Sequence, residues 1–266
     1  MRFSLGKLTL PIYAVIAFVY LLIPIVYTFA FSFNDYLKSN LIWRGFTFDN
    51  WINVCQREGV CQAFSNSVLI GLISTIVATA LGTAIAIALV RYRFKFRNSI
   101  NLLLFLPMAT PEVVLGAGLA SQFFNLGVQK GIVTIIIAHI MFCLSFVVVT
   151  VKARVSSLDP ALEEAGRDLY ANPRQVFWKI TFPLLLPGIA AAALLSFALS
   201  FDDFIITYFN AGTDMTFPRY VYTAAARGVP AEANVIGSAV FATAILIVLA
   251  TQINGEIKRR KLAKKH

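Results

Sequence analysis

Charge is scarce in this 266-residue sequence: Asp, Glu, Lys and Arg make up 14% of it, against about 25% in an ordinary soluble domain. Hydrophobic residues reach 58%, with 23 phenylalanines and a mean hydropathy of +0.75. A water-soluble fold of this length could not bury that much apolar surface, which excludes a soluble enzyme or binding module. Histidine and cysteine are rarer still, at two and three, and they do not stand at metal-ligand spacings. The Gly-x4-Gly-Lys-Ser/Thr phosphate loop is missing, so the chain has no means of binding ATP in the P-loop manner. Apolar–polar alternation of the barrel kind is absent, which leaves helices as the spanning form. The reading is an all-α integral membrane protein, with no catalytic residues, no metal and no cofactor of its own.

Six apolar stretches are long enough to cross a bilayer core about 30 Å thick: residues 8–33, 66–90, 100–126, 131–151, 184–210 and 233–253. They are expected to form one transmembrane domain spanning 1–266. The first is too long for a signal-peptide core and lacks a small-residue cleavage site, so it is expected to stay in the mature protein. Lys and Arg set the orientation. Seventeen of the 23 lie in the N-terminus, the tail and the connections on that side, and six lie opposite. Both termini are therefore expected in the cytoplasm. The net charge of +10 belongs to this topology and requires no nucleic acid. Cys55 and Cys61 share the first outer loop, where a disulfide and two free thiols are both open. Cys143, in mid-span, reads as a small packing residue.

Only three acids fall inside the spans: Glu112, Asp202 and Asp203. Each costs about 2.5–3.5 kcal/mol at the bilayer centre on insertion scales, so such acids tend to face a bundle interior or a watery cavity. The alternative is polar packing between helices. In the fifth span Ser196, Ser200, Asp203, Thr207 and Asn210 follow spacings of four and three, one stripe of a continuous helix, expected to line something wet. Phe201, Phe204 and Tyr208 flank the acids, and a cation would gain about 0.5–2 kcal/mol over such a ring. In the third span Pro107 and Pro111 precede Glu112 and predict a kink or break, a common way to build a transport site at membrane depth. Gly116 and Ala120 on the face of Glu112 permit close helix approach. Acids without matching internal bases suggest a cationic cargo. His139, alone on the fourth span, reads as a hydrogen-bonded structural residue.

Residues 152–183, between spans four and five, are polar. Asp159-Pro160 predicts a helix start, with a helix over 160–170. Asn172-Pro173 with Gln175 predicts a second start, closed by a capping box. Two short helices at a fixed corner suit a surface gripped by another protein. Glu164-Ala165-Gly166, then Tyr170, Ile180, Phe182 and Pro183, resemble the loop motif of bacterial ABC-importer permeases: Glu-Ala-Ala, three residues, Gly, nine residues, Ile, one residue, Leu-Pro. Gly166, Tyr170 and Phe182 depart from it. The stretches 139–151 and 195–203, and Pro107-Met108 with Pro111-Glu112, are similar to the second permease subunit of spermidine/putrescine importers.

That resemblance implies the type I ABC-importer permease fold in a bacterial inner membrane. It also implies coupling to the ATPase through Glu163, Glu164, Ala165, Gly166, Tyr170, Ile180 and Pro183. Its polyamine path would run along Glu112, Ser200, Asp202, Asp203 and Tyr208, and Trp51 of the outer loop aligns with a family tryptophan. The implied partners are two copies of a cytoplasmic ATPase holding ATP and Mg, a second related permease and an external binding protein. Another small solute as cargo, or a standalone channel or scaffold, are the alternatives open at this point.

Overall fold

A computed structural model of the chain describes residues 5–35, 42–56, 59–225 and 228–263. Among these, regular structure is helical apart from one isolated antiparallel bridge, Asn34 to Phe46. In chain order the helices are α1 (Leu5–Phe31), α2 (Asp49–Ile52), α3 (Val60–Arg91), α4 (Arg97–Ala109), α5 (Glu112–Asn125) and α6 (Ile132–Ser156). They continue with α7 (Ala161–Asp168), α8 (Pro173–Val176), a π-helical turn (Phe177–Thr181), α9 (Phe182–Asp202), α10 (Ile205–Asn210), α11 (Phe217–Ala225) and α12 (Ala231–Ala263). The chain divides into two compact units, Met1–Cys61 with Val221–His266, and Gln62–Tyr220.

In the first unit α1 packs on α12. Gly237 permits the approach: a Cβ there would stand 3.7 Å from Thr28. None of the apolar window of α1 is buried, as expected of a helix whose solvent is lipid. The chain after α1 is stitched by side-chain amides. Asn34 donates to the Ile42 carbonyl and accepts from the Arg44 amide, each at 2.9 Å. Asn50 donates to the carbonyls of Ser32 and Asn34. Cys55 and Cys61 form a disulfide, which decides between the two readings left open above.

In the second unit the core is built around α6, which contributes Ala138, Phe142, Cys143, Val147, Val148, Val151 and Val155 to it. Ala78, Ala86 and Leu89 of α3, Leu185 and Ala192 of α9, and Ile206 of α10 complete the cluster. Small residues set the spacing. A Cβ on Gly82 would fall 2.6 Å from Val147 Cγ1, and one on Gly188 would fall 2.6 Å from Arg154 Cγ. Arg154 uses this room to donate from Nε and Nη2 to the Leu184 carbonyl.

Two of the six expected spans are not single rods. The third consists of α4 and α5, bent by 107°; among the described residues five helices are long and apolar enough to cross alone, and six if the bent pair is counted as one span. The fifth was expected to be continuous over 184–210 but stops at Asp202 and restarts at Ile205. Its helix also begins earlier, because α8, the π-helical turn and α9 run on without a gap from Pro173. The second short helix of the loop is thus the first turn of that span.

Candidate functional site

Both breaks lie beside acids, and each has a local cause. Pro111 lacks an amide hydrogen and forces the residue before it out of the helical region. Thr110 is accordingly extended, at φ −82° and ψ 132°. Glu112 then opens α5 with its side chain exposed, at the helix end where a carboxylate is favoured. The second break has no proline. Asp203 turns extended (ψ 126°), and its carboxylate accepts the amides of Ile206 at 3.3 Å and Thr207 at 2.8 Å. It thereby satisfies donors that the start of α10 would otherwise leave orphaned.

The two restarted halves pack on each other. A Cβ on Gly116 would stand 3.1 Å from Phe209 and 3.2 Å from the Ile206 Cα. Asn210 Nδ2 donates to the Gly116 carbonyl at 3.2 Å. The close approach expected at Gly116 is realised, against α10.

The stripe on the fifth span does not line a watery cavity. Ser196, Ser200, Asp203, Thr207 and Asn210 are all buried, between 0% and 8% exposed. The reason is His139 on α6. Its Nδ1 lies 2.7 Å from Ser200 Oγ, and its Nε2 lies 3.2 Å from Asp203 Oδ2 and 3.0 Å from Thr207 Oγ1. A carboxylate only accepts, so Nε2 carries the hydrogen, and in the neutral ring Ser200 donates to Nδ1. Thr134 on the same helix donates to the Asn210 carbonyl at 2.8 Å. Ser200 and Asp203, read from the sequence as path-lining groups, stand in this structure in a buried interhelical seam. These are the residue types of a hydrolytic triad, but a hydroxyl 3% exposed offers no approach to a substrate. The hydrogen-bonded structural role read for His139 is realised, but its partners were not legible in the sequence.

Asp202 is left exposed beside the break, because a neighbour on a helix points about 100° away. Neither Glu112 nor Asp202 forms an ion pair among the described residues. Tyr208 is exposed, but its ring already faces a cation of the chain itself: the Arg219 guanidinium lies 5.9 Å from its centroid. Arg219 is held there by the carbonyls of Gly212 and Asp214. Trp51 belongs to the first unit, donating to Ser32 Oγ at 3.2 Å and stacking on Phe33.

In the 152–183 loop, Asp159 accepts the Ala161 amide at 3.0 Å, and the capping box of Asn172 and Gln175 closes both ways at 2.9 Å. The first helix ends at Asp168 rather than residue 170. It is closed by bonds from Tyr170 to the Arg167 carbonyl and from Ala171 to the Gly166 carbonyl, the pattern of a Schellman cap. That cap needs a left-handed residue, and Tyr170 supplies it at φ 61°. Tyr170, standing where the resembled motif has glycine, thus takes the left-handed conformation that glycine adopts freely. Gly166 answers Ile180, whose Cδ1 would lie 2.5 Å from a Cβ there. Glu164, Ala165, Tyr170 and Pro183 are exposed, whereas Glu163 turns inward to Arg91 and Thr181. The sequence carried no signal for that last contact.

Residues 78–255 match the model of the family described as binding-protein-dependent transport system inner membrane component. The spermidine/putrescine transport system permease protein PotC of Escherichia coli (strain K12) is 33% identical over 250 residues, covering 94% of each chain. The putrescine transport system permease protein PotI of the same strain is 32% identical over 231 residues, covering 84% of this chain and 82% of its own. Among solved structures, a bacterial ABC transporter involved in importing the acidic polysaccharide alginate superposes with a TM-score of 0.65 at 16% identity. That match covers 96% of this chain and 98% of the other. The fold is that of type I ABC-importer permeases.

Proposed function

The chain belongs to the family of binding-protein-dependent transport inner membrane components, and we propose that it is a membrane subunit of an ATP-driven importer of linear polyamines. As a family member it is a multi-pass inner-membrane transport subunit, in a family whose systems combine an ATPase with a substrate-binding protein. The observation that carries the cargo assignment is the pair of broken spans. Each break carries an exposed carboxylate, Glu112 or Asp202, at a depth that the sequence assigns to a span, and the halves beyond the breaks pack together. Unpaired carboxylates at that depth favour a cation, and two of them favour a cargo with more than one ammonium. The names of the relatives PotC and PotI point the same way.

In this reading both termini are cytoplasmic. A binding protein delivers the cargo outside, and a second related permease completes the pathway. Two ATPase subunits, which hold ATP and Mg, grip the exposed face of the 152–183 loop. Closure of that pair on ATP pushes the loop, and the spans switch access from outside to inside. Glu112 and Asp202 receive the cargo, while His139, Ser200 and Asp203 hold the second break open.

The test is uptake of labelled spermidine by cells carrying the chain with its partners, in competition with putrescine, neutral sugars and anions. Saturable uptake blocked by putrescine alone supports the reading. Uptake absent while the ATPase still co-purifies would keep the importer and reject the cargo.

A further inference from the structure

Three elements meet at one carboxylate oxygen. Arg91 is the last residue of α3, Glu163 stands in the first turn of α7, and Thr181 closes the π-helical turn that runs into α9. Glu163 Oε1 accepts from Arg91 Nη2 at 2.8 Å and from Thr181 Oγ1 at 3.0 Å. The side chains of Arg91 and Glu163 are only 20% and 19% exposed, so salt screens this pair less than an open surface pair. Gly166 and Ile180 interlock alongside.

The Arg91 fork is also half used. Its Nε is buried and has no partner among the described residues, although guanidinium and carboxylate bind most strongly through two parallel N–H bonds. One donor of the fork is thus left over at a contact that ties three helical elements to a single carboxylate.

We propose that Glu163 is a positioning residue for transport, the clasp through which displacement of the α7–α8 loop reaches α3 and α9 together. This rests on the importer reading above. The helix that begins just after Thr181 ends at Asp202, so a shift of the clasp is a shift of an acid at the break. With the clasp open, a partner would still hold the exposed residues of the loop. Hydrolysis would continue, but α3 would no longer follow.

The experiment uses the full complex with its binding protein in proteoliposomes. It measures ATP hydrolysed per labelled spermidine imported, and the stimulation of hydrolysis by the loaded binding protein. Glu163→Gln keeps the shape and removes the charge. The ATPase is expected to co-purify undiminished, while ATP consumed per imported cargo rises about tenfold and stimulation is largely lost. Thr181→Val should show a smaller rise. Arg91→Glu alone should uncouple, and Arg91→Glu with Glu163→Arg should recover part of the coupling, which a general loss of folding would not do. An unchanged ratio and stimulation in Glu163→Gln would overturn the proposal. So would loss of the ATPase from that variant, because it would place Glu163 on the docking surface. A native complex that imports no spermidine would reject the polyamine reading alone, since the stimulation of hydrolysis by the binding protein as purified, with no spermidine added, still decides the role of Glu163: retained in the native complex and lost in Glu163→Gln supports it, and equal in both overturns it.

Discussion

Replacing Asp203 by Asn separates a structural acid from one that meets cargo. The Asp203 carboxylate accepts two amides of α10 and faces His139 Nε2. An asparagine keeps one acceptor oxygen and turns an NH2 toward groups that are themselves donors. One of these bonds, to a charged and buried acceptor, is lost, at a cost of about 1.5–3 kcal/mol. For a chain of this length about 2 kcal/mol lowers a thermal midpoint by about 4–8 °C. The purified complex in detergent, unfolded by heating with and without spermidine, gives that shift directly. Asp203→Asn should melt early, yet what survives should take up spermidine with an unchanged KM. Asp202→Asn should do the reverse: a midpoint within about 0.5 kcal/mol of native and a KM raised about tenfold. A normal midpoint in Asp203→Asn, or a raised KM at normal stability, would refute the assignment of that side chain to the seam.

Tyr170→Gly should relieve a left-handed residue that costs about 1–2 kcal/mol, partly offset by the added freedom of the unfolded glycine. Amide exchange across 161–171 should slow, and a faster rate would contradict the Schellman cap. Gly82→Ala pushes a methyl into the stiff side chain of Val147 and should cost about 1–3 kcal/mol. Adding Val147→Ala should restore part of the thermal midpoint, and no restoration would mean that the α3–α6 approach is not the cause. Cys55→Ser with Cys61→Ser opens a ring closed over a sequence separation of 6 and should lower the midpoint by the equivalent of about 2 kcal/mol. Native complex treated with reductant should match the variant, and a gap between them would place the effect elsewhere.

The sequence carried the spans because twenty-residue apolar runs have few other fates, and it carried the first break because proline forbids a helical neighbour. The break at Asp203 was hidden. The cap that Asp203 makes to the Ile206 and Thr207 amides is local but open to any aspartate, and the His139 contact that accompanies it lies 64 residues away. The same distance concealed the burial of the stripe: periodicity shows that Ser200, Asp203 and Thr207 share a face, not what the face meets. In the loop, the capping box at Asn172 was readable because its partners lie three residues apart. The clasp of Glu163 on Arg91, across 72 residues, was not. Tyr170 shows the converse, a residue type that argues against a turn held in the turn's conformation by the backbone bonds around it.

The central claim is that a polycation crosses between Glu112 and Asp202. The measurement that tests it most directly is ATP-driven accumulation of labelled spermidine in proteoliposomes, comparing the native complex with Glu112→Gln/Asp202→Asn. The account predicts saturable uptake in the first and its loss in the second, with the ATPase bound and the thermal midpoint unmoved. Equal uptake in both would contradict it.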